Sequence, residues 1–326
     1  MNRSEIENFL GNDWLRLETL ISESLCSDVK LLSEINDNIL RNSGKQLRPM
    51  VSLLMARACG DTITEDSIRY AAATELLHNA TLLHDDVVDG SSERRGVPTV
   101  NSLLGGHASV LVGDFWLVKA MEIIVCCGRP VDRRISAVFT STLCDLAEGE
   151  MFQLEKTKGA DTTLEDYLRI IYSKTASLFQ TSCVTAAISV DAPQETVDAA
   201  REYGRCLGMA FQIRDDILDY EGMDLGKPVG QDLLERKITL PLLGALSLVG
   251  EAEKKKVRRL VQDIPDHPEN VESIRLFVEK SGGIVVAMDK LKEYVLRAIG
   301  ALDVLPESKE REYLRQLAEY TVYRQI

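Results

Sequence analysis

The chain has 326 residues, of which 45% are hydrophobic and 27% are charged, a composition that excludes an intrinsically disordered chain and supplies apolar surface for a large core. Its formal net charge of −13 argues against a nucleic-acid partner, because binding to phosphate backbones requires clustered Lys and Arg. We therefore expect no nucleic acid, and a phosphorylated substrate would need metal ions to approach this chain.

The N-terminal segment predicts no secretion. Residues Met1 to Glu7 include acidic residues and lack the apolar stretch of a signal peptide. The seven cysteines are odd in number and form no CxxC pair, which is typical of reduced thiols in a core. The sequence therefore predicts a cytoplasmic protein.

Helical periodicity extends over almost the whole chain. Apolar residues recur at three- and four-residue spacing, as from Trp14 to Ile21, whereas sustained alternation is hard to find. The most apolar window, Ala108 to Cys127, contains Asp114, Lys119 and Glu122, so it predicts a buried helix rather than a membrane span. Short breakers divide the pattern at residues 42–44, 60–61, 90–98, 128–130, 159–163, 191–193, 222–230 and 264–268.

Neither a Gly/Ser-rich linker nor a low-complexity tract separates these helical segments. The sequence therefore predicts an all-α fold with a single domain over residues 1–326, a large antiparallel bundle of ten or more helices. A division near Gly250 is the alternative.

Two aspartate clusters carry the chemistry, Asp85-Asp86-Val87-Val88-Asp89 and Asp215-Asp216-Ile217-Leu218-Asp219. On a helix, the first and last acid of each cluster project from one face. Acids this close raise each other's pKa unless a cation intervenes, and Mg²⁺ is the hard cation that carboxylates and phosphates bind together. One such cluster is often a solvated helix face, but two that each follow apolar sequence favour a metal site.

These residues resemble the trans-isoprenyl diphosphate synthase (polyprenyl synthetase) family. The resemblance extends from about Gly44 to Pro241. It rests on six motifs in order: Gly44-Lys45-Gln46-Leu47-Arg48-Pro49; Leu82 to Asp89 with Arg94-Arg95-Gly96; Val112-Gly113-Asp114; Lys174-Thr175; Phe211-Gln212 leading into Asp215 to Asp219; and Gly226-Lys227 with Asp232, Lys237 and Thr239-Leu240-Pro241. The resemblance implies an all-α fold around a central active-site cavity, three magnesium ions and a homodimer. It also implies head-to-tail condensation of an allylic diphosphate (geranyl, farnesyl or geranylgeranyl) with isopentenyl diphosphate, followed by loss of a proton.

The family's site residues transfer to this chain by position. Magnesium would be held by Asp85, Asp89 and Asp215, with supporting acids Asp86, Asp216 and Asp219. The allylic diphosphate would contact Arg94, Lys174, Lys227 and Lys237. Isopentenyl diphosphate would occupy a pocket of Lys45, Arg48, His78 and Arg95. The polar groups expected beside the reacting carbon are Thr175 and Gln212.

Several of these residues also have a structural interpretation. Without the resemblance, His78 is an ordinary hydrogen-bonded core histidine, and Lys45 with Arg48 is a basic pair at a helix start. Lys227 and Lys237 could be solvated loop lysines. Arg236 stands where the family commonly has Gly, a departure that affects how Lys237 approaches the diphosphate.

The residues below Asp85 predict the product length. Ala80 and Thr81 are small, so an aromatic stop is missing at that level, and deeper candidates are Leu77 and either Phe139 or Leu143. We expect a polyprenyl diphosphate of C30 or longer, with C40 as the best estimate, of the kind that supplies quinone side chains. Its release would require at most peripheral membrane contact.

Three alternatives compete with this interpretation. A shorter-chain synthase that makes geranylgeranyl or farnesyl diphosphate is the nearest. A class I terpene cyclase would share the first cluster but would not need Lys45, Arg48 and Arg95 for a second diphosphate. A non-catalytic partner subunit would be expected to lose aspartates or lysines, and none of the matched ones is lost.

Overall fold

The computed structural model describes residues 3–60, 62–125, 132–221 and 230–323. It is 81% helical, which confirms the predicted all-α fold. The helices in chain order are α1 (Arg3–Leu10), α2 (Asn12–Ser24), α3 (Lys30–Arg41), α4 (Leu47–Cys59), α5 (Glu65–Val88), α6 (Val100–Leu104), α7 (Gly106–Val125), α8 (Arg133–Gly159), α9 (Leu164–Ile171), α10 (Ser177–Ser189), α11 (Gln194–Glu221), α12 (Gln231–Leu234), α13 (Leu240–Ser247), α14 (Glu251–Gln262), α15 (Asn270–Lys280), α16 (Gly283–Ala301) and α17 (Lys309–Tyr323).

Backbone contacts divide the chain into two compact units. The first comprises Met1–Phe139, Thr181–Arg201 and Val304–Leu314, and the second comprises Thr140–Gln180, Glu202–Asp303 and Arg315–Ile326. The single domain over residues 1–326 stays a prediction.

Helix α5 organises the first unit, where it packs against α2, α4, α6 and α7. The helix begins at a capping box: the Thr64 hydroxyl accepts a hydrogen bond from the Ser67 backbone N–H, and the Ser67 hydroxyl accepts one from the Thr64 N–H, both at 3.1 Å. Residues 70–77 are all buried. The first aspartate cluster therefore lies at the end of a helix whose middle is fixed in the core.

A short hairpin follows the first aspartate cluster. Strands β1 (Glu93–Arg94) and β2 (Val97–Pro98) pair antiparallel. The two residues between them, Arg95 and Gly96, have φ angles of 56° and 75°. Positive φ at both central residues is what a two-residue type I′ turn requires, so this turn holds the non-glycine Arg95 in the left-handed region.

Helix α7 is only half buried. Val112, Trp116, Ala120 and Ile124 face the core, but the opposite side exposes Leu111, Val118 and Val125 at 69%, 60% and 51%. The sequence predicts this helix, and α7 forms. The expectation of full burial is wrong, because α7 is apolar on both faces but only one face is covered by other residues. None of the described helices is long and apolar enough to span a membrane.

In the second unit, α13 packs closely against α16. A Cβ atom on Gly283 would lie 2.2 Å from the carbonyl oxygen of Pro241, and one on Gly244 would lie 2.9 Å from the carbonyl oxygen of Gly283. Glycine is therefore needed at both positions for the two helix backbones to approach each other.

Candidate active site

Both aspartate clusters lie at the C-terminal ends of long helices. Helix α5 ends at Val88 with Asp89 as its C-cap, and α11 ends at Glu221, two residues after Asp219. A helix C-terminus carries the negative pole of the helix dipole, so three acids there destabilise the helix unless a cation lies nearby. Within the described ranges, no three His, Cys, Asp or Glu side chains form a metal site by themselves. Pairs of carboxylates that share a metal with substrate phosphates fit what Mg²⁺ commonly uses.

Asp86 is the buried acid of the first cluster, and Arg94 holds its carboxylate. The Nε and Nη2 atoms of Arg94 lie 3.0 and 2.9 Å from Oδ1 of Asp86. Asn101 donates a hydrogen bond of 2.9 Å to the backbone carbonyl of Asp86. Asp85 is half-buried and Asp89 is exposed. The structure thus pairs Arg94, which the sequence assigns to the allylic diphosphate, with a predicted supporting acid.

Asp216 is the buried acid of the second cluster, and neutral groups hold it. The Tyr167 hydroxyl donates to Oδ2 at 2.6 Å, and the Gln212 amide donates to Oδ1 at 2.8 Å. Gln212 in turn accepts a hydrogen bond of 2.7 Å from the Thr175 hydroxyl. Burial, and then the nearby Asp232, raise the pKa of Asp216 well above its usual range. One chain of hydrogen bonds therefore joins Thr175 to the second cluster.

Asp219 anchors the start of α12. Its carboxylate oxygens accept hydrogen bonds from the backbone N–H groups of Gln231 (3.1 Å) and Asp232 (3.3 Å). Burial raises the pKa of Asp219, and the backbone N–H groups of Asp232, Gln231 and Gly230 partly offset that rise. Asp215 is half-buried. The second cluster therefore also has an acid with a local structural role, Asp219, beside the predicted magnesium ligand Asp215.

Lys174 and Thr175 lie in a π-helical turn, Tyr172–Ala176, between α9 and α10. Such turns are rare and occur often at functional sites. The Lys174 Nζ atom lies 2.7 Å from Oε1 of Glu150 on α8. A Cβ atom on Gly149 would lie 2.5 Å from Cβ of Ser173, so α8 and the π-helical turn need a glycine at this contact.

The loop after α12 holds Lys237 against an acid. Arg236 has a φ of 58°, and the backbone N–H of Lys237 donates to the carbonyl oxygen of Asp232 at 2.7 Å, the pattern of a Schellman motif. Lys237 forms an ion pair with Glu235. Arg236 thus adopts the conformation of the glycine that the family commonly has there. Lys227 lies outside the described residues.

The residues assigned to isopentenyl diphosphate lie in the first unit. Burial lowers the pKa of His78 well below its usual range, and the charges of Arg48, Arg95 and Arg94 lower it further. The imidazole is therefore neutral and close to several guanidinium groups. Lys45 lies in the turn before α4 and is exposed.

The residues assigned to chain length are mostly core residues. Leu77, Ala80 and Phe139 are fully buried. Thr81 is half-buried, and its hydroxyl donates to the carbonyl oxygen of His78 at 2.8 Å. The ring of Phe139 packs at 6.2 Å between centroids against Tyr70, an aromatic contact that the sequence did not predict.

Comparisons with known proteins identify the family of this chain. The sequence profile of the polyprenyl synthetase family matches residues 29–278. The chain belongs to this family. It is 38% identical to octaprenyl diphosphate synthase of Escherichia coli (strain K12), over 99% of both chains.

Two solved structures are similar to this polyprenyl synthetase over its full length. A decaprenyl diphosphate synthase from Rhodobacter capsulatus superposes with a TM-score of 0.92, at 34% identity and 100% coverage of both chains. A polyprenyl synthase from Caulobacter crescentus CB15, complexed with calcium and isoprenyl diphosphate, gives 0.91 at 34% identity, covering 100% of this chain and 98% of that one. The chain is therefore a transferase, a long-chain trans-prenyltransferase that uses an allylic diphosphate and isopentenyl diphosphate.

Sequence reasoning missed three polar residues of this polyprenyl synthetase. Glu150 and Tyr167 lie 24 and 49 residues before the side chains that they contact, Lys174 and Asp216, so no local pattern indicates them. Glu75 did leave a signal, since it is an acid in the middle of an apolar helical run. Such a residue is seldom fully buried without charged partners.

Proposed function

We propose that this polyprenyl synthetase makes octaprenyl diphosphate, C40, as its main product. The support is the packing below Asp85. Ala80 has only a methyl side chain one to two turns down α5, whereas the Tyr70 and Phe139 rings pack together near its start. Tyr70 lies ten residues before Ala80, about 15 Å farther along the helix at about 1.5 Å per residue. The growing chain would pass Ala80 and end against this aromatic pair.

Product sizing tests the C40 product. Purified protein is incubated with farnesyl diphosphate, isopentenyl diphosphate and Mg²⁺, and the products are separated by length. A C15 or C20 end point would contradict this proposal. Ala80→Phe should shorten the product, because the ring would block the growing prenyl chain at that level. Phe139→Leu should lengthen the product, because a smaller side chain would let the prenyl chain extend farther. Unchanged product lengths in both variants would remove these residues from the path.

The family depends on Mg²⁺ in general. We propose that Asp85, Asp89 and Asp215 hold three ions here when the allylic diphosphate is bound. Bound magnesium neutralises the charge that develops on the departing diphosphate. The acids Asp86, Asp216 and Asp219 would keep the clusters in shape. This role is supported by the partner that each acid has within its own unit. Asp86 pairs with Arg94, Asp216 accepts hydrogen bonds from neutral donors, and Asp219 accepts them from backbone N–H groups.

The remaining site residues bind and orient the two substrates. The allylic diphosphate would be contacted by Lys174, Lys227 and Lys237 as point charges and by Arg94 as a bidentate hydrogen-bond donor. Its C–O bond breaks, and the diphosphate leaves with the electron pair. The double bond of isopentenyl diphosphate then attacks the allylic carbon beside Thr175 and Gln212, and the departing diphosphate accepts the proton that is lost.

Isopentenyl diphosphate must keep its own C–O bond during the reaction. Fixed positive charges from Lys45, Arg48 and Arg95 are sufficient to bind it, and they do so without the metal that would activate it as a leaving group. Neutral His78 would donate a hydrogen bond rather than add charge, because its pKa is well below the usual range.

We also propose that the enzyme is a homodimer whose interface includes the outer face of α7. Leu111, Val118 and Val125 follow one another at seven-residue spacing and form an exposed apolar stripe. Apolar patches of this kind mark protein interfaces. Light scattering should give twice the chain mass of 36.3 kDa for the wild type. Leu111→Glu should yield a monomer, whereas Leu296→Glu, at a position that is also 69% exposed, should leave the dimer intact.

We propose a cytoplasmic location with at most peripheral membrane contact. The support is that all five cysteines within the described ranges are free thiols, as is usual for proteins of a reducing compartment. Fractionation of cells that express the chain tests the location.

We also propose that residues 1–326 form a single domain. One cooperative unfolding transition in urea would support this proposal.

A further inference from the structure

Glu75 is a buried carboxylate that the proposed reaction does not use. It lies in the middle of α5, ten residues before Asp85, and is 4% exposed. Asn79 donates to its Oε1 atom at 3.2 Å and to its backbone carbonyl at 2.8 Å. Its Oε2 atom is buried and accepts no hydrogen bond from any described residue. Burying such an oxygen is unfavourable, so this acid must be offset by nearby positive charge.

The positive charge comes from three arginines on different elements. Burial raises the pKa of Glu75 above its usual range, and Arg48, Arg95 and Arg3 partly offset that rise. The effect is reciprocal at Arg95: burial and the neighbouring Arg94 lower its pKa, and Glu75 raises it. Glu75 is thus the acid whose negative charge offsets the crowding of Arg95 with Arg94.

Two of these arginines also hold the turn before α4. Arg3 donates to the carbonyl oxygen of Gly44 at 2.8 Å and to Oε1 of Gln46 at 3.1 Å. On the other side, a Cβ atom on Gly44 would lie 2.3 Å from Cζ of Arg95, so the Arg95 guanidinium packs against the bare glycine. Gln46 has a φ of 49°, a left-handed conformation that surrounding contacts must maintain.

These contacts converge on the turn that carries Lys45 and on the first turn of α4, which carries Arg48. We propose that Glu75, together with Arg3, positions Arg48, Arg95 and the Gly44–Gln46 turn for binding of isopentenyl diphosphate. Neither residue touches the substrate. Glu75 screens the repulsion among the arginines, and Arg3 braces the turn from α1, before the diphosphate brings its own negative charge. The inference rests on the proposed function, since it assumes that this cluster is the isopentenyl diphosphate site.

Steady-state kinetics of Glu75→Gln test this role, because Gln keeps the size of the side chain and the contact with Asn79 but removes the charge. The KM for isopentenyl diphosphate should rise about tenfold, as expected when a charged group loses its partner. The KM for farnesyl diphosphate should stay within about twofold. Equal increases in both constants, or no increase in either, would overturn the inference.

Asp66→Asn is the matched control, since Asp66 is also a buried acid of α5, 5% exposed, but lies near Arg69 outside this cluster. Asp66→Asn should lower the melting temperature without raising the KM for isopentenyl diphosphate relative to the KM for farnesyl diphosphate. A separation of the same size in Asp66→Asn would show that any buried acid of α5 has this effect, and the inference would fail.

Arg3→Met provides a second test if Glu75→Gln does not fold. The Arg3 side chain is 38% exposed, so we expect its replacement to leave the fold intact. We expect the KM for isopentenyl diphosphate to rise about threefold through loss of the hydrogen bonds to Gly44 and Gln46. An unchanged KM would contradict the inference. Wild-type turnover tests the proposed function separately: a wild type that does not use isopentenyl diphosphate refutes that function, whereas an active wild type with insensitive variants refutes only the role of Glu75 and Arg3.

Discussion

The first aspartate cluster ends α5 beside arginines, whereas the second ends α11 beside neutral donors and a further acid. Asp86 is fixed by the Arg94 guanidinium, but Asp216 is fixed by Tyr167 and Gln212 and lies near Asp232. A guanidinium holds its partner as a carboxylate, whereas burial and a neighbouring acid raise the pKa of Asp216. Two copies of one motif therefore differ in how far they depend on a bound cation to keep their acids ionised.

The largest effect should come from the predicted magnesium ligands, one from each cluster. Asp85→Asn and Asp215→Asn should each lower kcat/KM for farnesyl diphosphate by about 10³-fold, because each removes charge stabilisation from the departing diphosphate. Thermal melts of both variants serve as the folding control.

A higher Mg²⁺ concentration sharpens this comparison. Asp215→Asn should recover less activity than Asp85→Asn, because burial and the nearby Asp232 already raise the pKa of Asp216 in the second cluster, whereas Arg94 offsets the charge of Asp86 in the first. A variant whose kcat/KM lies within tenfold of the wild type would show that its cluster does not hold the metal.

The buried acids should separate the two clusters by stability. Asp86→Asn leaves Arg94 facing a neutral amide and should lower the unfolding free energy by about 2 kcal/mol. Asp216→Asn keeps neutral partners and should lower it by about 1 kcal/mol or less. Urea titrations measure both, and equal losses would remove the distinction between an arginine-held and a neutral-held acid.

Local features of both clusters are predictable from the sequence. Spacing of four residues places Asp85 with Asp89 and Asp215 with Asp219 on single helix faces, and both helices form. Helical periodicity is a local property, so the all-α fold is confirmed as well. The motifs lie in order along the chain and so predict the family, and the small Ala80 and Thr81 below Asp85 predict the long-chain class.

The partners of the buried acids are not predictable in this way. Arg94 reaches Asp86 because the chain reverses just after α5, where Gly90 is in the left-handed region and the Ser91 N–H donates to the Asp86 carbonyl oxygen at 3.0 Å. Tyr167 reaches Asp216 from 49 residues earlier in the chain. Periodicity also failed to distinguish a buried α7 from one with an exposed apolar face, because burial depends on neighbours and not on the helix's own sequence.

A smaller effect is expected from the hydrogen-bond chain of the second cluster. Thr175→Val removes the hydroxyl that donates to Gln212, and kcat should fall by about three- to tenfold as Gln212 loses one of its two restraints. Thr185→Val is the matched control, since that buried hydroxyl donates to the Thr181 carbonyl oxygen within α10. A similar fall in the control would assign the loss to packing instead of orientation.

The smallest expected effect is on the unfolding free energy and concerns the turns that follow α5 and α12. The turn after α5 has Gly90 in the left-handed region, φ 62°, whereas the turn after α12 has Arg236 there, φ 58°. Glycine adopts this conformation without the steric penalty of a side chain, so Arg236→Gly should raise the unfolding free energy by about 0.5 kcal/mol.

Arg259→Gly provides the opposite case for this last prediction. Arg259 is exposed in the last turn of α14, so its replacement should lower the unfolding free energy by up to about 1 kcal/mol. Urea titration of both variants gives the sign of each change. A loss of stability in Arg236→Gly would mean that contacts of the arginine side chain outweigh its backbone strain, and that the loop carrying Lys237 is held by Arg236 itself.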